Sequence, residues 1–383
     1  MGFERGAHLL VKRALRDLPP AGQLQVLGED PALPVHLRAW TRAQGHSLSD
    51  NIVTRGDAEE GRWRGSDRAG MANPNAQEAV SDQPSARWGL AARGARVEAS
   101  SPNFNFVLSD KDVVWSDEAA RLYERAAAAQ WDPATAIDWS APITHPDEVE
   151  DAVVQVMTYL IENETAALLV PARFLSQLHP HFREVMQLLA IQAADEARHI
   201  EVFTRRATLR RDTLGLSTAG GQASLKTLID EPDFALSMFL LSVLGEGSFL
   251  SLLWFLRDHA PDPVTRQVAT LTAQDEARHV AFGLSHLARH AEKDPGLHGR
   301  LANAITRRHD SLAQTAGLNE EVFDALVLLA AGSWAPEAIT HGWDAVANLK
   351  EDMHRGRIQR LQRLGFDDAE AKDLSALHTR NFM

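Results

Sequence analysis

Two copies of one pentapeptide, Asp195-Glu196-Ala197-Arg198-His199 and Asp275-Glu276-Ala277-Arg278-His279, carry the densest chemistry in this chain. A Glu and a His three positions apart lie on one face of a helix, so each copy offers a carboxylate oxygen and an imidazole nitrogen to the same small volume. A further glutamate stands in an apolar stretch before each copy: thirty residues separate Glu164 from Asp195, and twenty-eight separate Glu246 from Asp275. One copy alone reads as a solvated helix face with ordinary surface ion pairs. Two copies at matched spacing behind two inward glutamates read as the donor set of a dinuclear iron site held by four helices. The candidate ligands are Glu164, Glu196, His199, Glu246, Glu276 and His279.

Helical periodicity supplies the elements that must position them. The first helix runs from Asp147 toward Pro171 and opens on the acidic Pro146-Asp147-Glu148. On it Glu164 shares a stripe with Val153, Met157, Leu160 and Leu168, whereas Glu162 shares a face with Gln155 and Thr158, so Glu164 points inward. The second spans about 181–211, with Leu189, Gln192, Glu196, His199 and Phe203 as its inner stripe. The third, about 234–257, is almost wholly apolar around Glu246, and a lone buried carboxylate is costly unless protonated or bound to a cation. Gly245 and Gly247 beside it permit a local bulge or close packing. The fourth, about 263–290, places Ala269, Thr272, Glu276, His279 and Gly283 inward. Thr272 and Ser242, one turn before Glu276 and Glu246, are placed to bind an oxygen species or a water, or else to bond their own backbone. His286 and His290 read as residues supporting the ligands or as rim residues rather than as ligands, and Phe249, Trp254 and Phe255 as core or pocket lining. Further helices over 322–331, 336–349 and 352–364 are expected to brace the bundle or form a dimer face.

Composition bounds the chemistry. With Lys+Arg 39 against Asp+Glu 52, a net charge of -13 disfavours nucleic acid and acidic membranes as partners. Cys 0 excludes disulfides, thiolate ligands and iron-sulfur clusters, leaving oxygen and nitrogen donors. No run approaches eighteen uncharged apolar residues and no signal-peptide core opens the chain, so a soluble cytoplasmic protein is expected. The expected domains are 1–69, a small α/β module; 70–108, an Ala/Gly/Ser/Asn/Pro-rich linker or draping loop; and 109–383, a mainly α four-helix bundle with extra helices.

The doubled motif, an acidic residue, about thirty residues and then Asp-Glu-x-Arg-His, resembles that of the ferritin-like di-iron carboxylate oxygenases. Relatives of that group include bacterial multicomponent monooxygenase hydroxylases, the para-aminobenzoate N-oxygenase type and the ribonucleotide reductase small subunit. The resemblance covers about 147–290. It implies that Glu196 and Glu276 bridge two irons, that Glu164 and Glu246 are terminal, and that His199 and His279 each hold one ion, with Fe/Mn or Mn as alternatives. It further implies O2 as co-substrate, a small organic substrate, an electron-donating reductase or ferredoxin, and a homodimer. The reaction it implies is that of a monooxygenase or oxidase, with a rubrerythrin-like peroxidase or iron-handling protein as the alternative. The reductase subunit stores a radical on a tyrosine one turn after the first metal-binding histidine; that position here is Phe203, and Tyr123 and Tyr159 are the only tyrosines.

The Asp and Arg of the pentapeptide have a supporting role to fill. A metal-bound imidazole needs its remaining N–H anchored by an acceptor. Asp195 is expected to serve His279 and Asp275 to serve His199, across the helix pair, with Arg198 and Arg278 pinning both carboxylates. Residues 3–66, including Leu9 to Leu15, Gly22 to Leu27, Pro34 to Ala43, Gly45 to Leu48 and Gly61 to Arg64, resemble the TusA sulfur-carrier fold. That family works through a Cys-Pro at the start of its first helix, where this chain has Ala7-His8, so an interaction, dimerisation or pocket-covering module is expected.

Overall fold

The computed structural model describes residues 1–57, 62–73, 76, 78–313 and 320–377. Gly61, positions 74, 75 and 77 of the expected loop, and 314–319 and 378–383 of the C-terminal region lie outside the described residues. The chain divides into two compact units, Met1–Asn105 and Phe106–Met383.

In the first unit, α1 (Ala7–Arg16), β1 (Gln23–Gln25), α2 (Leu33–Ala43), β2 (Ser47–Ser49) and β3 (Ile52–Thr54) follow one another. The strands form an antiparallel sheet in the order β1-β3-β2. Its small core joins Val11 and Leu15 of α1 with Leu37 of α2 and Val53 of β3. Residues 70–105 cluster with this unit, where β5 (Arg96–Val97) pairs with β4 (Asp67–Arg68).

The second unit is helical. Two short helices, α3 (Lys111–Val114) and α4 (Ala119–Ala128), precede α5 (Asp147–Leu175) and α6 (Arg183–Ala207). After α7 (Ala219–Ile229) comes one long apolar element in three parts: α8 (Phe234–Met238), a π-helical segment (Phe239–Glu246) and α9 (Gly247–Asp258). Then follow α10 (Pro263–Lys293), α11 (Leu297–Ala313), α12 (Glu320–Ala331), α13 (Pro336–Arg363) and α14 (Asp368–Ala376). Helix α5 packs on α6, and the Phe234–Asp258 element packs on α10, so each half is a helix hairpin.

Helix α5 runs through Pro171 to Leu175, past the expected stop. The proline forfeits one backbone hydrogen bond, and the burial of Val170, Pro171 and Phe174 outweighs that loss. Helix α10 starts sharply because Asp262 accepts from Thr265 N at 2.8 Å and Pro263 supplies a preset first residue. The stretch Phe234–Asp258 is long and apolar enough to cross a membrane, but 83% of its apolar window is buried inside the bundle. The π segment packs close to its neighbours: a Cβ on Gly283 of α10 would lie 2.6 Å from Ser242 Cβ, so glycine is required there.

A buried ion network ties the far end of the first hairpin to α10. Arg206 of α6 donates to Glu150 Oε1 (2.8 Å) and Oε2 (3.0 Å), to Asp262 Oδ2 (2.7 Å) and, through Nε, to Thr265 Oγ1 (2.8 Å). All four side chains are buried, and His145 Nε2 lies 2.7 Å from Glu150 Oε2. Burial alone would raise the pKa of Glu150 and of Asp262, but Arg206 holds both below the usual carboxylate range.

Candidate metal centre

Four helices bring the six sequence candidates together in the middle of the bundle. Glu164 comes from α5, Glu196 and His199 from α6, Glu246 from the end of the π segment, and Glu276 and His279 from α10. None is more than 5% exposed. They form two overlapping groups, Glu164-Glu196-His199-Glu276 and Glu196-Glu246-Glu276-His279, and within each group the potential donor atoms lie within 4.8 Å of one another.

Glu196 and Glu276 belong to both groups, and their oxygens divide between them. Glu196 turns Oε2 to His199 Nδ1 (3.1 Å) and Oε1 to His279 Nδ1 (3.0 Å). Glu276 turns Oε1 to His199 Nδ1 (3.2 Å) and Oε2 to His279 Nδ1 (3.3 Å). Glu164 reaches only the His199 side, at 3.7 Å, and Glu246 only the His279 side, at 3.9 Å. The arrangement is two carboxylates spanning both positions and one carboxylate plus one imidazole closing each end. Glu162, the competitor of Glu164, is in neither group.

The electrostatics of this cluster call for cations. Among the described residues the four glutamates, with Asp195 and Asp275, face Arg198 and Arg278, so full ionisation would leave four negative charges when the imidazoles are neutral. Burial and the neighbouring Glu196 and Glu276 charges raise the Glu164 carboxyl well above its ordinary range; burial and Glu276 do the same to Glu246. Burial alone would make His199 and His279 less basic, but the surrounding carboxylates raise both well above an ordinary imidazole. Oxygens that gather around Nδ1 to hold a proton can equally gather around a metal ion there. Glu196 Oε1, Glu246 Oε2, Glu276 Oε1 and Gln192 Oε1 have no hydrogen-bond partner, although two of them lie at contact distance from an imidazole with the wrong angle for a bond. The carboxylate oxygens of the two groups, gathered with the imidazole nitrogens within 4.8 Å of one another, fit a pair of first-row ions such as iron or manganese.

Each imidazole turns its Nε2 away from the cluster and across the helix pair. His199 Nε2 lies 3.2 Å from Asp275 Oδ2, and His279 Nε2 lies 3.4 Å from Asp195 Oδ2, the crossed pairing expected from the pentapeptide. Arg198 Nη2 donates to Asp195 (2.5 Å) and to Asp275 (2.7 Å). Arg278 Nη2 donates to Asp275 Oδ1 and lies 3.5 Å from Asp195 Oδ2.

Two residues that motif reading passed over complete this layer. Gln130 Nε2 donates to Asp195 (2.8 Å) and its Oε1 accepts from Arg198 (2.6 Å). Trp131 Nε1 donates to Asp275 Oδ2 at 2.8 Å while Arg198 lies over its ring, 4.6 Å from the centroid. A chain of hydrogen bonds therefore runs from the half-buried Trp131 indole through Asp275 to His199. Gln192, on the inner stripe of α6, donates to Glu246 Oε1 at 3.0 Å.

Beside Glu164, Glu246 and Glu276 lies a small cavity walled by Ala167, Leu228, Leu241 and Phe249. Tyr159 is buried and stacks on Phe249, with ring centroids 5.8 Å apart, so it sits one ring behind this cavity despite its offset from the ligand stripe. Trp254 and Phe255 line a different depression, with Asp258 and His259. Among the described residues neither Ser242 Oγ nor Thr272 Oγ1 bonds its own backbone, and the Ser242 hydroxyl acts on the Glu246 carboxyl as a hydrogen-bond donor. His286 stands outside both metal groups between Phe234 and Phe282, and burial pushes its pKa down to about 3.

No family model matches the sequence, and no curated protein does. Solved structures do match. A glycine-to-leucine variant of an R2-like ligand-binding oxidase with an Fe/Fe cofactor is 17% identical, covers 65% of this chain and 94% of its own, and gives a TM-score of 0.52. A tyrosine-to-phenylalanine variant of such an oxidase with a Mn/Fe cofactor is 18% identical, with the same coverages and a TM-score of 0.53. The fold is ferritin-like. The part shared with those oxidases amounts to about two thirds of this chain and nearly all of theirs.

Proposed function

We propose that this protein is a non-haem dinuclear oxidase that activates O2 and acts on a small organic substrate, with electrons from a separate reductase or ferredoxin. The observation that carries the reading is the division of the Glu196 and Glu276 oxygens between His199 and His279, which prepares two adjacent positions with shared carboxylates. Glu164, Glu196, His199 and Glu276 would hold one ion; Glu246, Glu276, Glu196 and His279 would hold the other. Two such ions supply paired one-electron redox chemistry to a molecule bound beside them.

The chain's own residues prepare that chemistry. Asp195 and Asp275 fix each imidazole with Nδ1 inward; against the burial that would raise them, His279 and Gln130 hold Asp195, and His199, Arg198 and Arg278 hold Asp275, below the ordinary carboxylate range. Ala167, Leu228, Leu241 and Phe249 exclude water from the open side of the cluster and favour an apolar reactant. The Trp131-Asp275-His199 chain offers a hydrogen-bonded line from a partly exposed ring to the metal-facing imidazole, a route suited to electron entry. Phe203 in place of a tyrosine favours reaction with a bound substrate over storage of a radical. Monooxygenation is our preferred outcome. The first unit is proposed as a TusA-like interaction or pocket-covering module without sulfur transfer, in a cytoplasmic homodimer.

Anaerobic reduction followed by an oxygen pulse, monitored by rapid optical spectroscopy with candidate substrates, tests the reading. An optical transient whose decay one compound accelerates, with oxygen found in that product, is the expected result. Iron uptake that climbs far beyond two ions per chain, with no substrate effect, would favour the iron-handling alternative.

A further inference from the structure

The π segment that ends on Glu246 releases a backbone carbonyl, and a side chain from another helix takes it up. In an α-helix the amide of Gly247 would bond the carbonyl of Val243, four residues back. Here the acceptors of that amide include Ser242, five residues back, and not Val243. Arg360 of α13 fills the place, its Nε donating to the Val243 carbonyl at 2.7 Å. Burial lowers the Arg360 pKa to about 10, so the donor is charged at neutral pH, and a charged donor makes the stronger bond. Three residues earlier on α13, Arg357 Nη1 donates to Ser248 Oγ at 3.2 Å, and that hydroxyl donates on to the Leu244 carbonyl at 2.8 Å.

Gly247 makes room for the guanidinium. Its backbone is helical, with φ -61°, so no left-handed conformation calls for glycine there. The close approach does: a Cβ on Gly247 would lie 2.4 Å from Arg360 Nε and 2.5 Å from its Cζ. The segment is thus gripped by two helices, at Ser242 by Gly283 of α10 and at Val243 by Arg360 of α13.

What this grip secures is the rotational setting of Glu246. A π turn takes up one residue more than an α turn, and one residue is worth about 100° of rotation at 3.6 residues per turn. Settling into α geometry would therefore swing Glu246 away from His279 Nδ1, from which its Oε1 lies 3.9 Å. Glu164, within the α-helix α5, has no such dependence.

We infer that Arg360 is a positioning residue of the metal centre: by capping the Val243 carbonyl through the gap at Gly247, it keeps the π segment in the setting that presents Glu246 to the ion on the His279 side. The inference rests on the dinuclear reading of the cluster.

Chelator-competition titration with Mn2+ on the purified full chain is the test. Arg360→Met should weaken one ion of the two about tenfold, the lower end of what losing a residue that supports a metal ligand costs, and leave the other unchanged. Arg360→Lys, which keeps a cationic donor, should recover most of the loss. Gly247→Ala should reproduce it although alanine is the better helix former, and combining it with Arg360→Met should be no worse than either alone. In a Glu246→Ala background Arg360→Met should change no remaining affinity, whereas in Glu164→Ala it should act as in the parent. Equal weakening of both ions, no weakening in Arg360→Met or Gly247→Ala, or a loss that adds in full to that of Glu246→Ala overturns the inference and leaves the dinuclear reading standing. A parent protein that binds no pair of ions overturns both. Gly247→Ala carries the comparison if Arg360→Met does not fold.

Discussion

Replacing Asp275 with asparagine keeps the shape of the side chain and removes one charge, and the structure indicates what that should cost. Asp275 Oδ2 accepts from Trp131 Nε1, Arg198 Nη2 and His199 Nε2, while Oδ1 accepts from Arg278. An amide has one acceptor atom, so either orientation points an NH2 group at a donor. With the oxygen kept toward His199, the amide nitrogen meets the Arg278 guanidinium; with the amide reversed, His199 loses its anchor. A buried hydrogen bond to a charged group is worth about 1.5–3 kcal/mol. At about 1.4 kcal/mol per tenfold, that is roughly ten- to hundredfold in metal affinity, the range found when the partner of a metal-bound histidine is removed. The expected result is that Asp275→Asn weakens one ion of the pair by that factor and leaves the other within a few-fold, while Asp195→Asn, through His279, weakens the opposite ion. Chelator-competition titration of the two ions in each variant is the assay. Affinities within twofold of the parent in both variants would refute the crossed anchoring.

The Arg206 network predicts an acid-sensitive fold: Glu150 and Asp262 have folded-state pKa values below their unfolded ones, so their contribution is full above the ordinary carboxylate range and is lost as pH falls through it. Urea midpoints measured from pH 6 down to 3 should fall in the parent, whereas Arg206→Met should start about 3–5 kcal/mol lower and show a shallower slope. Electron paramagnetic resonance after oxygen exposure of the reduced protein should show no long-lived tyrosyl signal, and a high-yield signal abolished by Tyr159→Phe would overturn that expectation. Deletion of residues 1–69 should leave two-ion binding intact while altering association or substrate access, and a truncated protein that folds but binds no metal would sink the claim of separable domains.

The legible part of this structure was the part written at helical spacing. Glu196 and His199 on one face, and Glu164 in place of Glu162, follow from 3.6-residue geometry, and the crossed Asp–His pairs follow from the need of each imidazole for an outer acceptor. The glycines around Glu246 foretold a distortion but not its extent, because a π segment over Phe239–Glu246 depends on how closely α10 can approach through Gly283. Trp131 left no signal: it lies 144 residues from Asp275, and an indole at the start of the loop after α4 carries no period. Arg206, Arg308 and Arg357 likewise read as ordinary surface charges until the packing of helices around them is known. Gln192 was within reach, since it lies one turn before Glu196 on the same inner stripe.

Metal analysis of the purified protein beside Glu196→Ala and Glu276→Ala tests the central claim most directly. Each of these glutamates spans both positions, so the account predicts two first-row ions per chain in the parent and loss of the pair in either variant. Undiminished occupancy by two ions in both variants would contradict it.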